Sequence, residues 1–191
     1  MRSPSALVGA VLVLAGAAVL AVALTGYLHS PAWQASHAEE VLPAATRLHG
    51  AGPPTGFPFA RLRIQKIGLS VTVIEGTEPR DLLRAPGHLV GSALPGQPEN
   101  CIIAGHRDLH FRHLGSLRPG DRVDLEGANG TAVYQVESAQ VIDPSKTSVL
   151  DPGDQPVLTL VTCYPFHYIG PAPRRFVVVA RLVAMSGRGP H

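Results

Sequence analysis

The stretch TLVTCYPFHYIGPAPRRFVVVARL, residues 159–182, contains two runs of β-branched and apolar residues separated by a loop with three prolines. Short runs of this composition, bounded by proline and glycine, are typical of β-strands. Cys163 ends the first run, and Arg174 and Arg175 open the second. The stretch therefore predicts two strands joined by a loop, with a cysteine at the point where the first strand stops.

Similar runs recur from Phe57 onward, between turn signals such as Pro86-Gly87 and Pro119-Gly120. In RLRIQ, Leu62 and Ile64 alternate with polar residues, as in a strand with one face on a core and the other in water. The spacing of the runs and their β-branched residues indicate an all-β barrel or sandwich. The full set of runs, including the two of the opening stretch, is ARLRIQKIGLSVTVI, CIIAGH, DRVDLEG, TAVYQVESAQVI, VLTLVTC and RRFVVVARLVAM.

The N-terminal part is of a different kind. Residues 6–24 are nineteen consecutive apolar or small residues without a charge, close to the ~20 that cross a bilayer as a helix. A cleaved signal peptide is the alternative, but its apolar region is about 7–15 residues long, so we favour an uncleaved membrane anchor. Arg2 precedes the run, and Glu39 and Glu40 follow it. The positive-inside rule then leaves the N-terminus cytoplasmic and the rest of the chain outside the cell.

Length and charge limit the remaining possibilities. The 191 residues suffice for one domain and an appendage, and the segment after the anchor is rich in proline and polar residues, as in a stalk. A net charge of +2 without a basic block argues against a nucleic-acid partner. The acidic residues lack metal-ligand spacing, and we expect no metal and no cofactor. The predicted division is an anchor at 1–28, a stalk at 29–56, a barrel at 57–185 and a flexible tail at 186–191.

The chain has two cysteines, and a single disulfide is the plain structural interpretation in an oxidising compartment. Their sequence contexts differ, however. Cys101 begins the apolar run CIIAG, as a small hydrophobic residue would, whereas Cys163 adjoins a loop. A thiol is mostly protonated at neutral pH, so a nucleophilic Cys163 needs a basic or cationic neighbour.

Position favours His106 as that neighbour, because it directly ends the strand-like run CIIAGH and follows a glycine that permits close backbone approach. A single histidine or arginine is more often a surface residue than a catalytic one. Arg174 and Arg175 are adjacent, so alternation in a strand sends them to opposite faces and only one can share a face with Cys163.

Taken together, these motifs resemble the sortase family of membrane-anchored cysteine transpeptidases. They are TLVTC at 159–163, Arg175 twelve residues after the cysteine in RRFVV, and AGHRD some 57 residues before it. The variants CIIAGHRDLHFRHLG and TLVTCYPFHYIGPAPRRF look most like class D sortases, and the resemblance covers roughly residues 57–184. It implies a closed eight-stranded β-barrel with a cleft lined by strand ends and loops.

The resemblance also implies roles. Cys163 matches the nucleophile, His106 the general acid/base and Arg175 the cationic partner, with the cysteine and the arginine on adjacent strands at one rim. Thr162 belongs to the cysteine motif and either positions the strand end or contacts substrate. Three aromatic residues of the following loop either bind a Leu-Pro peptide or cap the core: Tyr164, Phe166 and Tyr168. Arg107 and Asp108 either orient the histidine or form an exposed loop pair.

The implied activity is cleavage of a Leu-Pro-x-Thr-like sorting signal and transfer to an amine at the cell surface. Its partners are a surface protein with a C-terminal sorting signal and an amine acceptor, either a cell-wall peptide or a pilin lysine. Two alternatives stay open. One is a thiol hydrolase or endopeptidase with water as acceptor, and the other is an anchored, non-catalytic β-barrel binding module with a structural cysteine.

Overall fold

The computed structural model describes residues 4–36, 54–127 and 130–187, which comprise an N-terminal helix and a barrel of eight strands. The bounds are α1 Pro4–Ser36, β1 Pro58–Ile64, β2 Leu69–Glu75, β3 Gly87–His88, β4 Asn100–Gly105, β5 Arg122–Gly127, β6 Gly130–Ile142, β7 Val157–Tyr164 and β8 Arg174–Ser186. Helical turns lie at Pro79–Leu82, Gln65–Ile67, Leu114–Ser116 and Thr147–Leu150.

The sheet is closed in the order β1-β2-β3-β4-β7-β8-β6-β5, with β5 returning to β1. The predicted closed eight-stranded barrel is therefore confirmed. Two of the pairs are parallel, β2 with β3 and β4 with β7, and the others are antiparallel. Because β4 and β7 run in the same direction, their C-terminal ends lie at the same end of the barrel.

Side-chain alternation fills the barrel interior. In β1, Leu62 and Ile64 are fully buried while Arg63 between them is exposed, as the RLRIQ pattern predicts. Leu158 and Leu160 of β7 join the same core cluster. Burial of such a side chain stabilises the fold by about 1.5–3 kcal/mol each, so the core fixes which face of every strand is outward.

The first predicted run, residues 60–74, is a hairpin. A 3₁₀ turn at Gln65–Ile67 separates β1 from β2, and Gly68 follows it with a φ of 63°, in the left-handed region. Glycine adopts this conformation without the steric cost that a Cβ would bring. The Pro86-Gly87 pair, which the sequence indicates as a turn, leads into the two-residue strand β3.

Helix α1 continues to Ser36 and so includes residues 29–36 of the predicted stalk. Of the described residues, no helical stretch is both long enough and apolar enough to be identified as a membrane span. The span at 6–24 and the domain bounds therefore stay predictions. Residues 37–53 of the stalk and 188–191 of the tail lie outside the described residues.

Near the end of α1, the described side chain of Gln34 contacts the barrel. The Gln34 Oε1 atom accepts a hydrogen bond from the backbone N–H of Thr72 at 2.6 Å, and its Nε2 donates to the Thr72 carbonyl at 3.1 Å. On β2, the pairing with β3 is limited to the end of the strand, at Ile74 and Glu75. The Gln34 amide thus occupies backbone groups on an edge that β3 leaves open.

Candidate active site

The ends of three neighbouring strands, β4, β7 and β8, meet at one end of the barrel. In the parallel pair, Gly105 of β4 is the partner of Thr162 in β7. In the antiparallel pair, Cys163 of β7 lies directly opposite Arg175 of β8. Directly opposite residues in such a pair have Cβ atoms about 4.5–5.5 Å apart. The bases of the Cys163 and Arg175 side chains are therefore neighbours, and His106, the residue after Gly105, is at the same end.

The cysteine belongs to the outer face of the sheet. Leu158 and Leu160 point into the core, so alternation places Val161 and Cys163 on the outside. Cys163 is half-buried rather than sealed. Arg175 shares its face through the register, whereas Arg174 is exposed and belongs to the opposite set.

A hydrogen bond of Thr162 joins β7, the strand of Cys163, to the end of β4, which precedes His106. Thr162 is buried, and its hydroxyl donates a hydrogen bond to the carbonyl of Gly105 at 2.7 Å. This bond lies between the residue before Cys163 and the residue before His106. Of the two roles that the sequence left open for Thr162, its burial and its bond favour positioning.

Packing explains why residue 105 is a glycine. A Cβ at this position would meet the ring of Phe111 at 2.7 Å, and Phe111 is fully buried. Contacts this short displace backbone or side chain. The close approach that the sequence predicts before His106 is thus an approach to the Phe111 ring.

The two cysteines are both free. Cys101 is 1% exposed and belongs to the core cluster, and burial raises the pKa of its thiol far above the ordinary range. A thiol that stays protonated is a poor nucleophile. The structure therefore contains no bridge between the cysteines, and Cys101 has the buried position of a small hydrophobic residue.

The three aromatic residues predicted to contact substrate, at the end of β7 and in the β7–β8 loop, fall into two groups. Tyr164 and Phe166 are half-buried and pack on Phe176, with ring centroids 6.3 and 5.3 Å from it. A Cβ on Gly115 would lie 2.6 Å from the Phe166 ring, so the glycine makes room for it. Tyr168, in contrast, is 46% exposed. Tyr164 and Phe166 cap the core, and contact with substrate stays a prediction for all three.

The loop itself, residues 165–173, is held by two arginines. Nη2 of Arg107 donates to the carbonyls of Tyr168 at 2.8 Å and Gly170 at 3.0 Å. Nη1 of Arg175 donates to the carbonyls of Ala172 at 3.2 Å and Arg174 at 3.0 Å. The sequence analysis did not predict these contacts of Arg107 with the loop, and its two suggestions for Arg107 and Asp108 stay predictions.

His110 is a site residue that the sequence analysis did not assign. Burial lowers the pKa of its imidazole, a hydrogen bond with the Arg84 backbone raises it, and the charge of His106 lowers it further, with a net lowering. His110 lies four residues after His106 in HRDLH, and this short spacing is the sequence signal that could have identified His110.

The sequence analysis also did not identify the apolar surface beside the Cys163 thiol. Ala104, Val161 and Val177 form one row across β4, β7 and β8 on the face that carries Cys163. Ala104 and Val161 are half-buried, and Val177 is buried. The row is an apolar surface next to Cys163. In the described ranges, no group of three or more His, Cys, Asp or Glu residues is placed to hold a metal ion.

Comparisons with known proteins agree with this geometry. A family model described as a sortase domain matches residues 62–183. Sortase D of Bacillus subtilis is 34% identical over 132 residues, which are 69% of this chain and 67% of that protein. Sortase SrtE1 of Streptomyces coelicolor is 34% identical over 129 residues, or 58% of this chain and 37% of that protein. The solved structure of a Clostridium perfringens Sortase D5 transpeptidase has a TM-score of 0.62 at 30% identity, covering 68% of this chain and 81% of that one.

Proposed function

The chain belongs to the sortase family of cysteine transpeptidases, and from this membership we propose that it cleaves a Leu-Pro-x-Thr-like sorting signal and transfers the acyl part to an amine. The relatives of class D are consistent with the class D-like motifs of the sequence. The observation that carries the proposal is the meeting of Cys163, Arg175 and the residue before His106 at one end of the barrel.

In the first step, the Cys163 thiolate attacks the carbonyl carbon of the Thr-Gly-like peptide bond. The bond between sulfur and carbon forms, the bond between carbon and nitrogen breaks, and His106 donates a proton to the departing amine. The acyl part is then held as a thioester on Cys163. This intermediate divides one difficult substitution into two easier ones.

In the second step, the amine of the acceptor attacks the thioester carbon. His106 takes the proton from that amine, the new peptide bond forms, and the Cys163 sulfur leaves. The same imidazole therefore serves as acid and then as base. Water in place of the amine gives hydrolysis from the same intermediate.

Arg175 stabilises the negative oxygen that develops in both steps. Its Nη1 is occupied by backbone carbonyls of the loop, which fixes the plane of the guanidinium and leaves its other N–H groups for substrate. Removal of one such fixed donor typically costs an enzyme about 3–4 kcal/mol of transition-state stabilisation. A lysine would lack the planar fork that holds the loop and the substrate together.

We propose a cell-surface setting for this reaction. Residues 6–24 would anchor the chain with a cytoplasmic N-terminus and an external barrel. The donor is then a surface protein with a C-terminal sorting signal, and the acceptor is the amine of a cell-wall peptide or a pilin lysine.

The test is to incubate the full chain in detergent with a small library of Leu-Pro-x-Thr peptides and candidate amines, and to identify products by mass spectrometry. A product joined to the amine, formed through a thioester on Cys163, is the expected result. A hydrolysed product at a rate unaffected by amines would favour the hydrolase, and no cleavage of any peptide would favour the binding module.

A further inference from the structure

The middle of the β7–β8 loop has few attachments other than Arg107. In the part of the chain that the structure describes, the backbone of residues 165–173 makes no backbone–backbone hydrogen bond outside the strands. Among the described residues, its carbonyls accept from two side chains, Arg107 at Tyr168 and Gly170, and Arg175 at Ala172. Arg175 holds the base of the loop, so Arg107 holds its tip.

The contact of Arg107 is with the backbone and with one ring. Its Nη2 lies between the carbonyls of Tyr168 and Gly170, and its guanidinium carbon is 5.7 Å from the centre of the Tyr168 ring, in the range of a cation–π contact. Ile169, between the two held residues, is fully exposed. A bond to each flanking carbonyl fixes the direction of the chain at the tip.

Arg107 directly follows His106, and the loop it holds directly follows the strand of Cys163. The clamp therefore joins two segments that are 61 to 63 residues apart and that flank the two groups of the reaction. A loop with this attachment keeps a constant distance from the histidine. A loop without it would be free to swing about its ends.

A second nitrogen of the same guanidinium, Nη1, is buried and has no hydrogen-bond partner among the described residues. A buried, unpaired donor lowers stability. The guanidinium is thus poorly explained as a device for fold stability alone. Because Nη1 is buried and Nη2 is engaged with the loop, neither of these two nitrogens is well placed to touch the reacting carbonyl.

We propose that Arg107 is a positioning residue for transpeptidation: it clamps the tip of the β7–β8 loop to the His106 segment and so fixes the Tyr168 side of the cleft that receives the sorting signal. The inference rests on the proposed function for its kinetic part. It predicts an effect on binding of the peptide and little effect on the chemical step.

The test compares Arg107→Ala, Arg107→Lys and the matched control Arg112→Ala in the full chain. Arg112 is exposed on the same segment and has no hydrogen-bond or ion-pair partner among the described residues. Kinetics use a Leu-Pro-x-Thr peptide with an amine. A second readout is the rate at which chymotrypsin cuts after the exposed Tyr168, whose carbonyl Arg107 holds, followed by mass spectrometry.

For Arg107→Ala we expect KM for the peptide to rise about tenfold, kcat to stay within about threefold, and the pH dependence of kcat to be unchanged, because Cys163 and His106 are intact. Cutting after Tyr168 should become at least about fivefold faster. Arg107→Lys should lie between, since an ammonium lacks the planar face for the ring. Arg112→Ala should match the wild type in both assays.

Unchanged KM and unchanged cutting in Arg107→Ala would overturn the clamp. A kcat loss of about 100-fold at constant KM would also overturn it, since Arg107 would then act on the reacting atoms. If the wild type cleaves no peptide with any amine, the proposed function fails by itself. The chymotrypsin rates then still decide whether Arg107 holds the loop.

Discussion

Cys101 and Cys163 lie in neighbouring strands but on opposite faces of the sheet. Cys101 points into the core, where burial raises the pKa of its thiol, and Cys163 lies on the outer face opposite a guanidinium. Side-chain alternation from the buried leucines of β7 is sufficient to produce this difference. The reactivity of each thiol thus depends on which face of the sheet carries the cysteine, and the alternation of buried residues along the strand determines that face.

Replacement of each cysteine should separate the two roles. Cys163→Ala should abolish peptide cleavage and thioester formation, and His106→Ala should come close to this. Cys101→Ala should keep most of the activity and lower the free energy of unfolding by about 1 kcal/mol. Cleavage assays and urea unfolding measure the two effects. An equal loss of activity in both cysteine variants would contradict the assignment of the nucleophile.

The adjacent arginines give a second matched pair. Arg175→Ala should lower kcat about 100-fold or more, because a fixed donor to the oxyanion and the hold on Ala172 are both lost. Arg174→Ala should change kcat by less than about threefold, since Arg174 is exposed and off the face of Cys163. Steady-state kinetics on one peptide suffice. Equal losses would undo the choice of Arg175 over Arg174.

Among the elements, β7 and β8 could be predicted from composition alone, because each is a long apolar run bounded by turn residues. The two-residue strand β3 could not be, since a Pro-Gly pair carries a turn signal and a short parallel pairing leaves no periodic pattern. The parallel pairing of β4 with β7 was equally invisible. It depends on partners about 57 residues apart, whereas local patterns report only the face of a strand.

The same limit explains what was missed in the site. Cys163, His106 and Arg175 could be predicted as catalytic residues because their motifs resemble a known family. The clamp by Arg107 and the contact of His110 with Arg84 were not identified, because both partners are on remote loops without a pattern of their own. The hydrogen bond from Thr162 to Gly105 could be predicted in part: the sequence analysis identified Thr162 as a site residue but did not identify Gly105 as its partner.

Thr162→Val tests whether this bond between strand ends positions the site. The substitution keeps the side-chain shape and removes the hydroxyl that Gly105 binds, so we expect about a tenfold loss of kcat and a loss of about 1–2 kcal/mol in stability. Thr159→Val is the control. Thr159 is buried in the same strand and donates to Asn100 Oδ1 at 2.7 Å, away from Cys163.

Thr159→Val should cost similar stability but change kcat by less than about twofold. Kinetics and denaturant unfolding of both variants give the comparison. If kcat falls alike in both, the effect of Thr162 comes from general destabilisation and not from positioning.

At the scale of the whole molecule, His110 links stability to pH. Burial lowers the pKa of its imidazole in the folded chain, whereas the unfolded chain titrates near 6.5. Below about pH 6.5 the unfolded state therefore binds a proton that the folded state resists, and stability falls as the pH falls. His110→Gln removes this contribution, so its loss of stability between pH 7.5 and 5.5 should be smaller than that of the wild type.

Urea unfolding at the two pH values measures this effect. His113→Gln, at an exposed position three residues further along, should lose as much stability as the wild type. A His110→Gln variant that loses as much as the wild type would show that other groups account for the acid sensitivity.

The position of Arg175 in β8, the last of the described strands in chain order, has a consequence for the timing of reactivity. Strand β8 pairs with both β7 and β6, so a nascent chain in which it has not docked carries a thiol without its guanidinium. The pairing of β8 with β6 joins segments that are distant in the sequence, and such pairings form late and slowly in folding. A nascent or partly folded molecule would therefore be unable to transfer acyl groups to other proteins. The recovery of thioester formation after dilution from denaturant would measure when β8 closes the barrel.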